Sequence, residues 1–249
     1  MKRLTALALP LALLVPAAAG AGDVELLPDL AVRLEAARYA PTEPDLHFTG
    51  WIGAGAGLVR AGAVTGYFDA DVETILGWQR RPFEANQANY HLELGLRRRI
   101  GAMTGAIVFH HVSRHAVDRD KPEAVDWNVL GIRLTSQEDA AVRVRLGLGH
   151  TTQASLVGYR WEATAGLTAD VSAPFYVSGD VRYVTVHADP AFPRGNFADV
   201  RAEAGGRWRR GEAWLAVYGA FERRNDVLLL APAVRNRALL GFRILYSSR

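Results

Sequence analysis

From about residue 29 to the end of this chain, apolar and polar residues alternate almost one for one. Phe68, Ala70, Val72, Thr74 and Leu76 alternate with Asp69, Asp71 and Glu73. Tyr90, Leu92, Leu94 and Leu96 alternate with His91, Glu93, Gly95 and Arg97, and the pattern returns at 142–148 and 198–205. Successive side chains of a β-strand point to opposite faces, so each such segment has one apolar and one polar face. No long segment has the 3.6-residue period of a helix. The mean hydropathy of +0.00 is then the average of two unlike faces and does not mark an ordinary water-soluble surface.

The pattern predicts strands at about 29–39, 46–58, 63–77, 89–100, 102–114, 126–135, 141–150, 157–169, 174–187, 197–209, 213–223 and 236–247. Short connections (59–62, 101, 136–140, 169–173, 210–212) alternate with long ones (78–88, 115–125, 188–196, 224–235). A bacterial outer-membrane barrel has short periplasmic turns and longer outer loops. The fold expected is therefore an all-β, up-and-down antiparallel transmembrane β-barrel of twelve strands, with ten as the alternative and both termini in the periplasm. Trp78, Tyr90, Trp127 and Tyr159 near the outer strand ends, with Trp208, Trp214, Tyr176 and Tyr246 near the inner ends, are read as aromatic girdles. The inward face is read as carrying Asp69, Asp71, Glu73, Glu93, Glu162, Asp180 and Glu203 with Arg97, Arg99, Arg143, Arg145, Arg160, Arg182, Arg201 and Arg207. This near balance predicts a cross-linked polar interior, because isolated buried charges are costly.

Lys2 and Arg3, the apolar run Leu4–Val15 and the small residues up to Gly22 have the form of a secretory signal peptide. The expected division is residues 1–21 as signal peptide and 22–249 as an outer-membrane β-barrel. Removing the leader takes away two basic residues and lowers the formal net charge from +3 to about +1, so the basic balance argues little for nucleic acid. The chain has no cysteine, which excludes a thiol nucleophile and a Cys-ligated zinc site.

Three residues do not suit a passive barrel. His111 and Ser113 share the face of Ile107 and Phe109, while Asn128 shares that of Leu130, Ile132 and Leu134. If the apolar residues meet lipid, so do these polar ones, and polar groups facing hydrocarbon suggest function. An imidazole two residues from a hydroxyl can take its proton as the oxygen attacks an ester. A group on the next strand must then hold the ring in the right tautomer. Asn128 suits that role, with Asp126 on the same face as the competing orienter.

The stretch Phe109-His110-His111-Val112-Ser113, followed by Trp127-Asn128-Val129-Leu130 and Arg133-Leu134, resembles the active-site strands of the outer membrane phospholipase A family. Pro82-Phe83-Glu84 with Asn89-Tyr90 and Leu92-x-Leu94-Gly95 is similar to the segment upstream of that site. The resemblance implies a twelve-stranded barrel that cleaves phospholipid acyl esters at the outer leaflet. Ser113 would be the nucleophile, His111 the base and Asn128 the orienting residue. It further implies calcium and a homodimer. Asp118, Asp120 and Glu123 supply hard oxygen ligands suited to calcium. Arg114-His115 stands where the family has Asn-Gly, whose glycine amide helps form the oxyanion hole.

Two other readings compete. Lipid A 3-O-deacylases look similar, with His-x-Ser on a smaller barrel, but use Glu as the third residue, and strand six has none. A non-catalytic structural barrel or narrow channel would keep His111, Ser113 and Asn128 apart.

Overall fold

The computed structural model describes residues 24–117, 125–187, 194–228 and 233–248. They form β1 (Val24–Glu43), β2 (Leu46–Ala61), β3 (Val64–Gly77), β4 (Glu84–Ile100), β5 (Met103–Ala116) and β6 (Val125–Ser136). The second half comprises β7 (Val142–Ser155), β8 (Tyr159–Ser172), β9 (Phe175–Val186), β10 (Phe197–Arg210), β11 (Ala213–Arg224) and β12 (Arg235–Ser247). Every strand is antiparallel to its neighbours, and β1 pairs with β12, from Ala31↔Ser247 to Ala40↔Ala238, to close the barrel. Closure leaves no unpaired sheet edge, which a lipid environment demands. Twelve strands are present, as expected, and the ten-strand alternative is excluded. The proposed leader, 1–21, lies outside the described residues.

One rim, here the turn rim, carries three two-residue turns that begin with glycine. At Gly62-Ala63, Gly101-Ala102 and Gly211-Glu212 the glycine has φ of 57°, 60° and 60°. A left-handed glycine followed by a residue outside that region makes a type II′ turn, whose twist matches antiparallel strands. The opposite, loop rim differs from the sequence expectation. β1 runs on to Glu43 and turns through Pro44-Asp45 alone, and only residues 156–158 join β7 to β8. Strict alternation of short and long connections is thus broken at two of six places on that rim. The strands extend past their apolar alternation because pairing with a neighbour, as well as patterning, holds their ends.

The register sorts the faces. Leu94, Phe109 and Leu130 lie side by side across β4, β5 and β6, and so do Leu96, Ile107 and Ile132; all but Ile107 are exposed. The inner face is tied by charges. Glu93 accepts two bonds from Arg133 at 2.7 and 2.6 Å, and Tyr67 Oη donates to it at 2.7 Å. Arg243 bridges Glu35 and Glu203, while Arg182 bridges Glu162 and Asp199. Arg160, expected inside, instead sits in a bulge between Tyr159 and Trp161 and is exposed. The aromatic expectation also splits. Trp78, Tyr90, Trp208 and Tyr246 are exposed, whereas Trp127, Tyr159 and Tyr176 are buried, and Trp214 lies on the inner face over Arg207 and Arg209. Nearness to a strand end sets height along the barrel, but parity sets the face.

Candidate active site

β5 places Phe109, His111, Ser113 and His115 outward and His110, Val112 and Arg114 inward. Same-face neighbours two residues apart on a strand are about 6.8 Å apart along the chain. β6 runs beside it with Asn128 opposite His111 and Asp126 opposite Ser113. His111 Nδ1 and Asn128 Oδ1 are 2.7 Å apart. His111 Nε2 and Ser113 Oγ have no hydrogen-bond partner among the described residues. The outward strand face therefore brings His111 and Asn128 together, while Ser113, two residues along that face, is hydrogen-bonded to neither. Asp126, the competing orienter, does not bond His111, because it sits two residue pairs farther toward the loop rim. Its Oδ1 accepts from Gln153 Nε2 at 2.9 Å, and Gln153 Oε1 accepts from Asn128 Nδ2 at 2.6 Å.

Gln153 reaches this face through a β-bulge. Leu146, Leu148 and His150 point outward on β7, so strict alternation would put Thr152 outward and Gln153 inside. The β6–β7 register instead shifts between Asn128↔Gln153 and Val129↔Thr151, leaving Thr152 as the extra residue. Bulges re-aim side chains in this way beside functional sites. Sequence reasoning missed Gln153 because nothing in Thr151-Thr152-Gln153 announces the bulge. It also missed His115, which was assigned to a loop. β5 continues to Ala116, so His115 stands outward beyond Ser113, edge-on to Tyr90 with ring centroids 5.4 Å apart.

Behind the outward residues the barrel is packed. Val112, Val125, Trp127 and Val129, the inward residues of the same two strands, cluster with Val157, Tyr159 and Val184. Trp127 meets Tyr159 edge-on at 5.1 Å. Arg114 is buried, and its Nη2 donates to the carbonyls of Asp226 (2.6 Å) and Val227 (2.8 Å) from the β11–β12 connection across the lumen. Its side chain is therefore turned away from Ser113. His91 and His110, both inward, stack at 5.5 Å beside a cavity of about 220 Å³ shared with Arg182 and Glu162.

Outside, an apolar groove of about 400 Å³ starts at Phe109 and Leu130, one same-face step below His111 and Asn128. It runs past Leu94, Ile107 and Leu96 to Leu58. Gly66 lines it and leaves room there: a Cβ at Gly66 would come no closer than 3.7 Å to Leu96.

The expected calcium ligands Asp118, Asp120 and Glu123 lie outside the described residues. Among the described residues no group of three or more His, Asp or Glu could hold a metal. The carboxylate nearest Ser113 in the register is Asp126, already engaged by Gln153. The described residues by themselves do not make a calcium site.

No protein-family model and no curated protein sequence matches the chain. Among solved structures it is similar to the outer membrane phospholipase of Salmonella typhi, a dimer with bound calcium. The TM-score is 0.56 at 11% identity, covering 88% of this chain and 91% of that one. It is likewise similar to outer membrane phospholipase A of Escherichia coli, with TM-score 0.55, 10% identity, and 89% and 97% of the two chains covered. An active-site mutant of that enzyme gives TM-score 0.54 at 10% identity, over 89% of this chain and 91% of that one. At such identity the likeness is one of fold. This chain is an all-β, closed, twelve-stranded barrel of the outer-membrane type whose structure resembles outer membrane phospholipase A.

Proposed function

We propose that this barrel is an outer-membrane serine hydrolase that cleaves acyl esters of phospholipids at the outer leaflet. The observation that carries the reading is the 2.7 Å contact of His111 Nδ1 with Asn128 Oδ1 on the exterior face, which Ser113 shares. A lipid whose ester lies level with Ser113 would extend its chain along the groove that begins at Phe109. The orientation matches a lipid of the outer leaflet, whose tail points from the loop rim toward the bilayer centre.

In the proposed reaction Ser113 Oγ attacks the ester carbonyl and its proton passes to His111 Nε2. Asn128 Oδ1 accepts a hydrogen bond from Nδ1–H and stabilises the imidazolium. The tetrahedral intermediate collapses to an acyl-enzyme, and the leaving alkoxide takes the proton from His111. Water, deprotonated by His111, then attacks the acyl carbonyl and releases fatty acid, and Ser113 regains its proton. An amide as third residue suits this place, since an unpaired carboxylate beside lipid would carry a larger desolvation cost. The same feature weighs against a lipid A deacylase, where a Glu is expected.

A calcium requirement and a homodimer that covers the exterior site belong to the proposal through the resemblance alone. Chelator should abolish activity, and activity should rise with dimer content in cross-linking experiments. The main test is Ser113→Ala in reconstituted phospholipid vesicles. Loss of fatty-acid release with unchanged heat-modifiable migration supports the reading. Full activity in that variant, with calcium present, overturns it. Release of acyl chains from lipid A but not from phospholipid would favour the deacylase alternative.

A further inference from the structure

We propose that Asp126 and Gln153 are positioning residues that set the tautomer of His111 from two side chains away. The inference rests on the hydrolase reading of His111 and Ser113. An ionised carboxylate can only accept hydrogen bonds. Asp126 Oδ1 therefore obliges Gln153 to turn its amino group, Nε2, toward it at 2.9 Å. A primary amide has its oxygen opposite its nitrogen, so Gln153 Oε1 must face the other way, where it meets Asn128 at 2.6 Å. That contact needs a donor, so Asn128 presents Nδ2 to Gln153 and its Oδ1 points to His111. An acceptor at 2.7 Å from Nδ1 requires the proton on Nδ1. Nε2 is then left with its lone pair, the form a base for Ser113 needs.

The carboxylate thus acts as a polarity reference. Without it both amides could reverse together. Asn128 would then offer an N–H to the ring, Nδ1 would become the acceptor, and Nε2 would carry the proton. Such a ring cannot accept from Ser113. Each amide reversal exchanges groups of nearly equal size, so packing does little to prevent it. The bulge at Thr152 supports the assignment, because it moves a single amide side chain out of alternation to the place opposite Asn128. Thr152 Oγ1 also donates to the Asn128 carbonyl at 3.4 Å. The charge is kept two links from the ring, where the residue pairing puts Asp126 nearer the loop rim and water.

The test uses the full barrel in detergent micelles, with ¹⁵N-histidine labelling. His111→Gln identifies the His111 signals by their loss. The unaltered protein should show His111 as the Nδ1–H tautomer at neutral pH. Asp126→Asn keeps the shape but removes the acceptor-only character. It should produce a substantial Nε2–H population and lower kcat by about tenfold, well below the cost of losing a direct orienter, with KM little changed. Asp126→Asn combined with Gln153→Glu moves the carboxylate one link along. The new carboxylate accepts from Asn128, which restores the polarity, so the tautomer and most of kcat should return. A purely structural role predicts no such rescue. An unchanged tautomer in Asp126→Asn, or a double variant no better than the single one, overturns the relay. If the tautomer responds as expected while the unaltered protein hydrolyses no ester, the relay stands and the hydrolase reading fails.

Discussion

The inner and outer faces of this barrel both carry polar clusters, and they are built on opposite rules. Inside, opposite charges meet directly. Glu93 is clamped by Arg133 and Tyr67, and Glu73 by Arg224 and Asn89. Such groups satisfy one another fully and leave little chemistry over. Outside, at β5–β7, one carboxylate is followed by two neutral amides and an imidazole, and among the described residues the series ends there, with His111 Nε2 and the Ser113 hydroxyl unpartnered. A closed network stabilises. An open one, on the proposed reading, leaves groups for chemistry. The difference predicts that substitutions inside act on folding and substitutions outside act on turnover.

The largest effect expected is from Ser113→Ala or His111→Ala. Either should lower phospholipid hydrolysis by about three orders of magnitude or more with the barrel intact, as judged by fatty-acid release and heat-modifiable migration. Asn128→Ala should cost about 10²-fold in kcat, because the ring keeps its place on β5 but loses its orienting acceptor. The inner face should respond differently. Glu93→Gln leaves Arg133 without its countercharge and should destabilise the barrel by about 3 kcal/mol, measured by urea unfolding in vesicles. Folded protein of that variant should retain near-normal kcat, and a collapse of kcat there would erase the contrast between the faces. The smallest effect concerns the groove. Gly66→Leu should raise KM for long-chain esters by about tenfold and leave short-chain esters nearly unaffected, read from matched substrate series.

Much of this was readable in the residues. Alternation at 68–76 and 90–97 located strands, and parity put Phe109, His111 and Ser113 on one side of β5 and Leu130 and Asn128 on the matching side of β6. That reasoning works because strand side chains have a period of exactly two residues wherever pairing is regular. It fails where regularity does. The bulge at Thr152 reverses the parity of β7 and brings Gln153 outward, and a second one at Arg160 moves that residue out of the expected inner set. Trp127, Tyr159 and Tyr176 were placed in girdles from their height, yet they face the interior, because an aromatic near a strand end can serve either face. Asp126 was recognised as a possible orienter. Its indirect position could not be read, since it depends on cross-strand register and on a third strand.

The buried Arg114 ties the strand that carries Ser113 to the far side of the barrel. It follows Ser113 directly in the chain, and its guanidinium is gripped by carbonyls of Asp226 and Val227, more than a hundred residues away in sequence. β5 and the β11–β12 connection lie on opposite sides of a twelve-membered ring, so this contact acts as a spoke through the lumen. The backbone at Ser113 is therefore anchored from within, by a segment on the far side of the lumen. Changes in that far connection can reach Ser113 without passing along the barrel wall.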